Sequence, residues 1–314
     1  MKNVYLNHDG NIDDFISLLL LLQMPEINLI GVGVIDGDGY VDPAVSASRK
    51  IIDAFGQNSQ ISVSRSNSRA IHQFPKEWRL TAFSFNDLPI LNERQNLKTP
   101  LTSQPAHLDL VEKIMQSKSK VTLVMTGPLT DLARAIMVNP QITDNIAELY
   151  WMGGSLHEAG NVDEPNHNGS AEWNAYWDPE AVKTVWDSNI NIVMVGLDST
   201  KQVPLTQKLK WHWASLRRYP ALDLIGQGYA LVHSFEANST YYLWDVLTTL
   251  SCNYPQIITT EETKSSVNLN EPEAGRTYYN PESGRPLTFV TSVNAPKFFD
   301  KIDELGRKAS YNWK

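Results

Sequence analysis

The sequence predicts an α/β fold with an open, mostly parallel central sheet covered by helices, and three observations point to it. Short apolar runs alternate along the chain with stretches of helical character, the pattern of strands buried on both faces of a parallel sheet. Acidic and hydroxylic residues follow several of those runs, where open parallel sheets hold their ligands beyond the strand carboxyl ends. The 314 residues, 42% hydrophobic and 20% charged, are enough to bury one large core.

Val4-Tyr5-Leu6 reads as a first strand, followed by the polar loop Asn7 to Asn11 and a helix opened by Asp13 and Asp14 and continued by the apolar run Phe15 to Leu22. Ile27 to Val34 is a nearly continuous apolar strand, Asp36-Gly37-Asp38-Gly39 a loop, and Val45 to Phe55 a helix. The scheme repeats with Val121 to Met125 before a helix from Thr130 to Met137, then with Ile146 to Trp151 and Ile190 to Val195. Asp9, Asp38, Thr126 and Asp198 fall just past strand ends. Thr259 to Pro286, rich in Glu, Asn and Pro, reads as an excursion before a final strand, Leu287 to Val290. With no internal repeat or low-complexity linker, residues 1–314 are expected to form one domain.

The formal net charge of −8 and the lack of a long basic run argue against a nucleic-acid partner and for a small ligand. The run Phe15 to Leu22 is much shorter than the roughly 20 residues that span a bilayer, so no membrane partner is expected. It is not preceded by a cationic stretch, so the mature start is expected at Met1. One cysteine, Cys252, excludes an internal disulfide and suits a reducing compartment, so the cytoplasm is the expected location.

Asp9, Asp13 and Asp14 put three carboxylates within six positions at a strand end. They cannot all ionise close together without a cation or strong hydrogen bonds. Spacing alone is equally satisfied by a helix cap, because Asp favours a first helical turn. If a cation is held, an oxygen-only ligand set selects Ca²⁺ or Mg²⁺, and Ca²⁺ tolerates irregular geometry better. Thr126, at a strand end, and Asp245, within Tyr241-Tyr242-Leu243-Trp244-Asp245, are further candidate ligands.

The segment Asn7-His8-Asp9-Gly10-Asn11-Ile12-Asp13-Asp14 resembles the signature of the nucleoside hydrolases, Asp-x-Asp-Pro-Gly-x-Asp-Asp, in the form similar to the purine-specific, inosine-adenosine-guanosine-preferring branch. The resemblance continues in family order through Phe74-Pro75-Lys76-Glu77-Trp78-Arg79, Leu88-Pro89-Ile90-Leu91-Asn92, Thr126-Gly127-Pro128-Leu129, Met152-Gly153-Gly154, Ala171-Glu172-Trp173-Asn174, Leu197-Asp198-Ser199-Thr200 and Tyr241-Tyr242-Leu243-Trp244-Asp245. It implies a Rossmann-like nucleoside hydrolase fold and hydrolysis of the N-glycosidic bond of inosine, adenosine or guanosine to free base and ribose. A Ca²⁺ ion is implied on Asp9, Asp14, Asp245 and the Thr126 carbonyl, with Asp9 as general base toward a water and Asn11 helping to fix sugar and water. Asp13, Asn161, Glu172 and Asn174 are implied to hold the ribose. Asp38, Glu77, Trp78 and Trp244 are implied to hold the base, the two tryptophans sandwiching a purine whose protonation their electron-rich faces favour. The pyrimidine-accepting enzymes have His where Trp244 stands, which points to purines. A homodimer is also implied.

Two departures stand out. Asn7 replaces the usual Asp, where tuning rather than loss of activity is expected, and the loop Glu236 to Thr240 is shorter than its counterpart and lacks the Arg of the purine-specific branch. Broader base specificity, or a nucleoside-binding protein weak in catalysis, is the alternative. A phosphatase of the haloacid dehalogenase type would suit Asp36-Gly37-Asp38-Gly39, but that segment follows the second strand and leaves the tryptophans and Glu172-x-Asn174 without a role.

Overall fold

The computed structural model describes residues 1–56, 61–94, 96–232 and 240–312. Among the described residues nine strands form one sheet: β1 (Lys2–His8), β2 (Ile27–Val34), β3 (Val63–Arg65), β4 (Val121–Met125), β5 (Ile146–Met152), β6 (Ile192–Val195), β7 (Ile258–Val267), β8 (Thr277–Tyr279) and β9 (Arg285–Val293). The order is β3-β2-β1-β4-β5-β6-β9-β7-β8. Pairings from β3 through β6 to β9 are parallel, and β7 runs antiparallel to β9 and β8. The expected α/β fold with a mostly parallel sheet is therefore the observed one.

Alternation along the strands divides the core. Val4, Leu6, Val124, Val193 and Val195 face α1 (Ile12–Leu21), α2 (Val41–Phe55) and the helices Pro220–Ala230 and Trp244–Ser251. Tyr5, Leu123, Met125, Leu149 and Trp151 face the helices Ala106–Gln116, Thr130–Val138 and Pro179–Trp186. All ten residues of α1 are buried, which explains why its sequence reads as one apolar block rather than an amphipathic stripe. No described helix is long and apolar enough to cross a membrane.

Two expectations change. Helix α2 starts at Val41, before the expected Val45, and includes Pro43 in its first turn, where the missing N–H has no intrahelical partner to lose. The polar excursion contains β7 and β8. Thr259 to Glu262 are exposed, so this stretch pairs through its backbone without the apolar signal of a buried strand.

The order of strands reverses between β1 and β4, and such a switch point opens a crevice at the strand carboxyl ends. Asn7 of β1 lies in register with Met125 of β4, so Asp9 and Thr126 emerge beside each other.

Candidate active site

Asp9 leaves β1 into a space bounded by two glycines. A Cβ at Gly37 would collide with the Asp9 Oδ2, and one at Gly127 would meet the Asp9 Cβ at 2.7 Å. Both positions need glycine because of this close approach. The Asp38 backbone N–H donates to Asp9 Oδ2 at 3.0 Å, and the Gly39 N–H to the Asp9 carbonyl at 2.8 Å.

Helix α1 supplies the next two carboxylates. Asn11 is its N-cap, and Asp14 Oδ2 accepts the Asn11 N–H at 2.8 Å in a reciprocal capping box. The capping reading of Asp14 is thus correct, yet its other oxygen accepts the Thr126 hydroxyl at 2.6 Å, which ties it to the end of β4. Asp13 Oδ1 accepts from the Tyr241 hydroxyl at 2.6 Å and Oδ2 from the Asp245 N–H at 3.0 Å. Asp245 stands in the first turn of the helix Trp244–Ser251.

Burial first, then repulsion by Asp14 and Asp38, lifts Asp9 well above the ordinary carboxylate range. Burial and then Asp13 raise Asp14 to about 7. Burial and then Asp13, Asp14 and Asp9 raise Asp245 strongly. The main influences on these three include no positive side chain. A divalent cation fits this set by charge and by its hard oxygen donors. Among the described residues no three His, Cys, Asp or Glu side chains already converge in a ligating arrangement. The fourth candidate donor, the Thr126 carbonyl, takes a bond from Asn174 Nδ2 at 3.3 Å and keeps a second lone pair.

A cavity of about 350 Å³ opens above the cluster, lined by Asp9, Asn11, Asp13, Asp38, Thr126, Asn161, Glu172, Asn174 and Asp245 on its polar side. Glu172 caps the helix Trp173–Trp177, taking the N–H of Asn174 at 2.9 Å, and receives the Gly154 N–H at 2.9 Å, so one carboxylate ties two walls together. Burial raises it to about 7 despite those bonds. Asn174 Oδ1 and Asp38 Oδ1 are buried without a partner. Trp78 and Trp244 also line the cavity, Trp78 edge-on to Trp173 at 5.6 Å and Trp244 edge-on to Tyr241 at 4.6 Å.

Of the candidate site residues, Asp14 and Glu77 do not line the cavity. Asp14 is fully buried and reaches it through the hydroxyl of Thr126, which does line it. Glu77 stands apart: its side chain is 62% exposed and lies 3.9 Å from Lys76. The turn of the short helix Lys76–Arg79 that points Trp78 inward points its neighbour out. Phe74, Trp173 and Tyr241 line the cavity and were not singled out, although each sits inside a segment already recognised. Asp198 is also outside it, accepting the N–H groups of Leu156, His157 and Glu158 at 3.1, 2.8 and 3.1 Å to fasten the loop after β5. His8 is fully buried against Ser48, and burial lowers its pKa to about 3, so it stays neutral. His233 and residues 236–239 lie outside the described residues.

The profile of the inosine-uridine preferring nucleoside hydrolases matches residues 4–300. The chain belongs to that family. It is 49% identical to an inosine-uridine preferring nucleoside hydrolase from Bacillus anthracis whose crystal structure superposes with a TM-score of 0.94, covering 98% of this chain and 100% of that one. It is 26% identical over 308 residues to an inosine-uridine preferring nucleoside hydrolase of Leishmania major, covering 96% of this chain and 95% of the relative. A pyrimidine-specific ribonucleoside hydrolase of Escherichia coli is 26% identical over 209 residues, 65% of this chain and 62% of that one. Membership in the nucleoside hydrolases therefore establishes the reaction class and leaves the base open.

Asn7, at the first position of the signature Asp-x-Asp-Pro-Gly-x-Asp-Asp, has a partner that suits an amide. Its amide donates to Asp131 Oδ2 at 3.2 Å, while the other oxygen of this fully buried carboxylate accepts from Ser66 and Ser68, each at 2.7 Å. A second carboxylate at position 7 would face Asp131 without a donor. Asn7→Asp is expected to destabilise the protein by about 1–3 kcal/mol, the scale of an unsatisfied buried polar group, and Asn7→Asp/Asp131→Asn to recover most of it. Urea unfolding of the two variants checks this, and equal midpoints for Asn7→Asp and wild type would refute it.

Proposed function

We propose that this nucleoside hydrolase acts on purine ribonucleosides, with Asp9 as general base and the base stacked by Trp78 and Trp244. The observation that carries the reading is the lining of the cavity: the aromatic rings of Phe74, Trp78, Trp173, Tyr241 and Trp244 share it with the carboxylates, and no described lining residue is His, Lys or Arg. The described lining thus offers the leaving base aromatic faces rather than a cationic acid, and stacking against indole faces favours a ring protonated by solvent.

The residues divide the work. Asp9 accepts the proton of the attacking water, and Asn11 helps to orient it. Asp13, Asn161, Glu172 and Asn174 hold the ribose hydroxyls: Asn174 keeps Oδ1 for a hydroxyl donor, and Asn161, whose Oδ1 takes the Trp173 N–H at 3.1 Å, keeps its amide hydrogens. The negative charge of Asp13 and Glu172 in their ionised forms favours the oxocarbenium-like sugar as the glycosidic bond opens. The unpartnered Asp38 oxygen is suited to an N–H on the base edge. Asp9, Asp14, Asp245 and the Thr126 carbonyl would hold a Ca²⁺ ion, which when bound supplies the charge that acidifies a water and keeps these carboxylates ionised. A cytoplasmic homodimer is the setting we propose, on the resemblance and the single buried thiol.

Broader base use is the second reading, favoured by the inosine-uridine preference for which the 49% identical Bacillus anthracis enzyme is named. Steady-state rates on inosine, adenosine, guanosine, uridine and cytidine decide between them. The purine reading expects kcat/KM for the best purine nucleoside to exceed that for uridine by at least about tenfold, a difference of roughly 1.4 kcal/mol in transition-state binding, and Trp78→Ala or Trp244→Ala to lower kcat on purines. Equal use of inosine and uridine would sink the preference and leave hydrolysis standing.

A further inference from the structure

Arg79 belongs to a recognised segment but does not line the cavity, and it is 7% exposed although charged. Such burial calls for a full set of partners. Its Nε donates to the Gly37 carbonyl at 3.0 Å, a terminal nitrogen to Asp36 Oδ1 at 2.6 Å, and its guanidinium lies 4.1 Å over the Tyr40 ring. Its own carbonyl accepts the Tyr40 N–H at 3.4 Å. These contacts address three residues of one loop, Asp36, Gly37 and Tyr40.

The opposite side of that loop is the floor of the active site. Gly37 packs on the Asp9 carboxylate, the Asp38 N–H donates to Asp9 Oδ2, and Asp38 Oδ2 accepts Asn11 Nδ2 at 2.5 Å. Arg79 also directly follows Trp78 in the helix Lys76–Arg79. One buried guanidinium therefore joins the segment that presents an indole to the substrate to the loop that gives the base its hydrogen bond.

We propose that Arg79 is a positioning residue for hydrolysis: it locks the Asp36–Gly39 loop so that the Asp38 N–H and Gly37 hold the Asp9 carboxylate in its working orientation. The inference rests on the reading of Asp9 as general base. Its planar fork and its stacking on Tyr40 are both used, so Lys, a single point charge on a flexible stem, does not substitute.

The test uses purified Arg79→Ala and Arg79→Lys proteins and two substrates, inosine and 4-nitrophenyl β-ribofuranoside, whose phenolate departs without help from stacking. A shift of about 1 Å at a reacting group can cost roughly 100-fold, so kcat for Arg79→Ala is expected to fall by about 10- to 100-fold on both substrates. KM should move much less. Millimolar guanidinium should restore part of the lost rate in Arg79→Ala, an effect that a purely structural role would not give. Arg79→Lys, the variant to rely on if the alanine protein does not fold, should stay impaired on both substrates. Wild-type kcat in a folded Arg79→Lys protein overturns the proposal. So does a loss confined to inosine, which would make Arg79 a support for Trp78 alone. If the wild type turns over neither substrate, or Asp9→Asn leaves turnover unchanged, the reading of the site fails rather than the role of Arg79.

Discussion

Asp9→Asn is expected to lower kcat for inosine hydrolysis by about 10²- to 10⁴-fold, the range of a general acid or base. Asn is the replacement to use because it keeps the volume that Gly37 and Gly127 enclose, so the fold is not disturbed by a void between β1 and β4. The amide can still accept the Asp38 N–H, as Asp9 Oδ2 does at 3.0 Å, but it cannot take a proton from water. Hypoxanthine release measured at saturating inosine separates this from a binding defect, because a weaker hold on the ribose by itself raises KM and leaves kcat unchanged. Normal kcat in Asp9→Asn would remove Asp9 from the chemistry.

The second large effect is on stability, and it follows from placing several carboxylates in one buried crevice. Asp14 and Glu172 rise from 3.8 and 4.5 to about 7 on folding, with burial as the first cause in both. A carboxyl whose folded pKa lies above its unfolded one keeps its proton in the native state after the unfolded chain has lost it. Between about pH 4 and pH 7 the native state thus binds more protons, and stability falls as pH rises through that window. The slope is on the order of 1 kcal/mol per pH unit for each such group. A bound cation favours the ionised forms and offsets the loss, and its affinity rises as protons leave. In protein treated with chelator, the melting temperature is expected to fall from about pH 5 to about pH 7.5, and added Ca²⁺ to raise it more at the higher pH. The chelated protein should lose hydrolysis, and Ca²⁺ should restore it. A Ca²⁺-induced shift of equal size at both pH values would contradict the assignment of Asp14 to a cation.

Local sequence carried a good part of the fold. The spans Ile27 to Val34 and Val121 to Met125 coincide with β2 and β4, because strands buried on both faces need continuous apolar residues and their ends are marked by polar or glycine residues. β3 is three residues long, and β7 exposes Thr and Glu, so neither leaves a readable period. The site residues were legible by resemblance within motifs, and most of them line one cavity. Glu77 failed that transfer because adjacent helical residues point in different directions, a matter of helix phase.

The carboxylates Asp9, Asp13 and Asp14 could be found from sequence because they crowd one strand end. Their separate geometry could not. The reversal of strand order between β1 and β4 brings Thr126 beside Asp9, and the packing of the helix Trp244–Ser251 on α1 brings Tyr241 and Asp245 onto Asp13. Asn7 shows the same division. Its departure from the usual Asp is visible in the sequence, but the reason lies 124 positions away in Asp131. By itself the sequence determined the α/β class, the strand ends that carry chemistry and the kind of chemistry those side chains allow, since these depend on local periodicity and residue type. Tertiary structure decided which oxygen faces which donor, and that Arg79 braces the loop against Asp9, because burial and close contact between distant segments exist only once the sheet has formed.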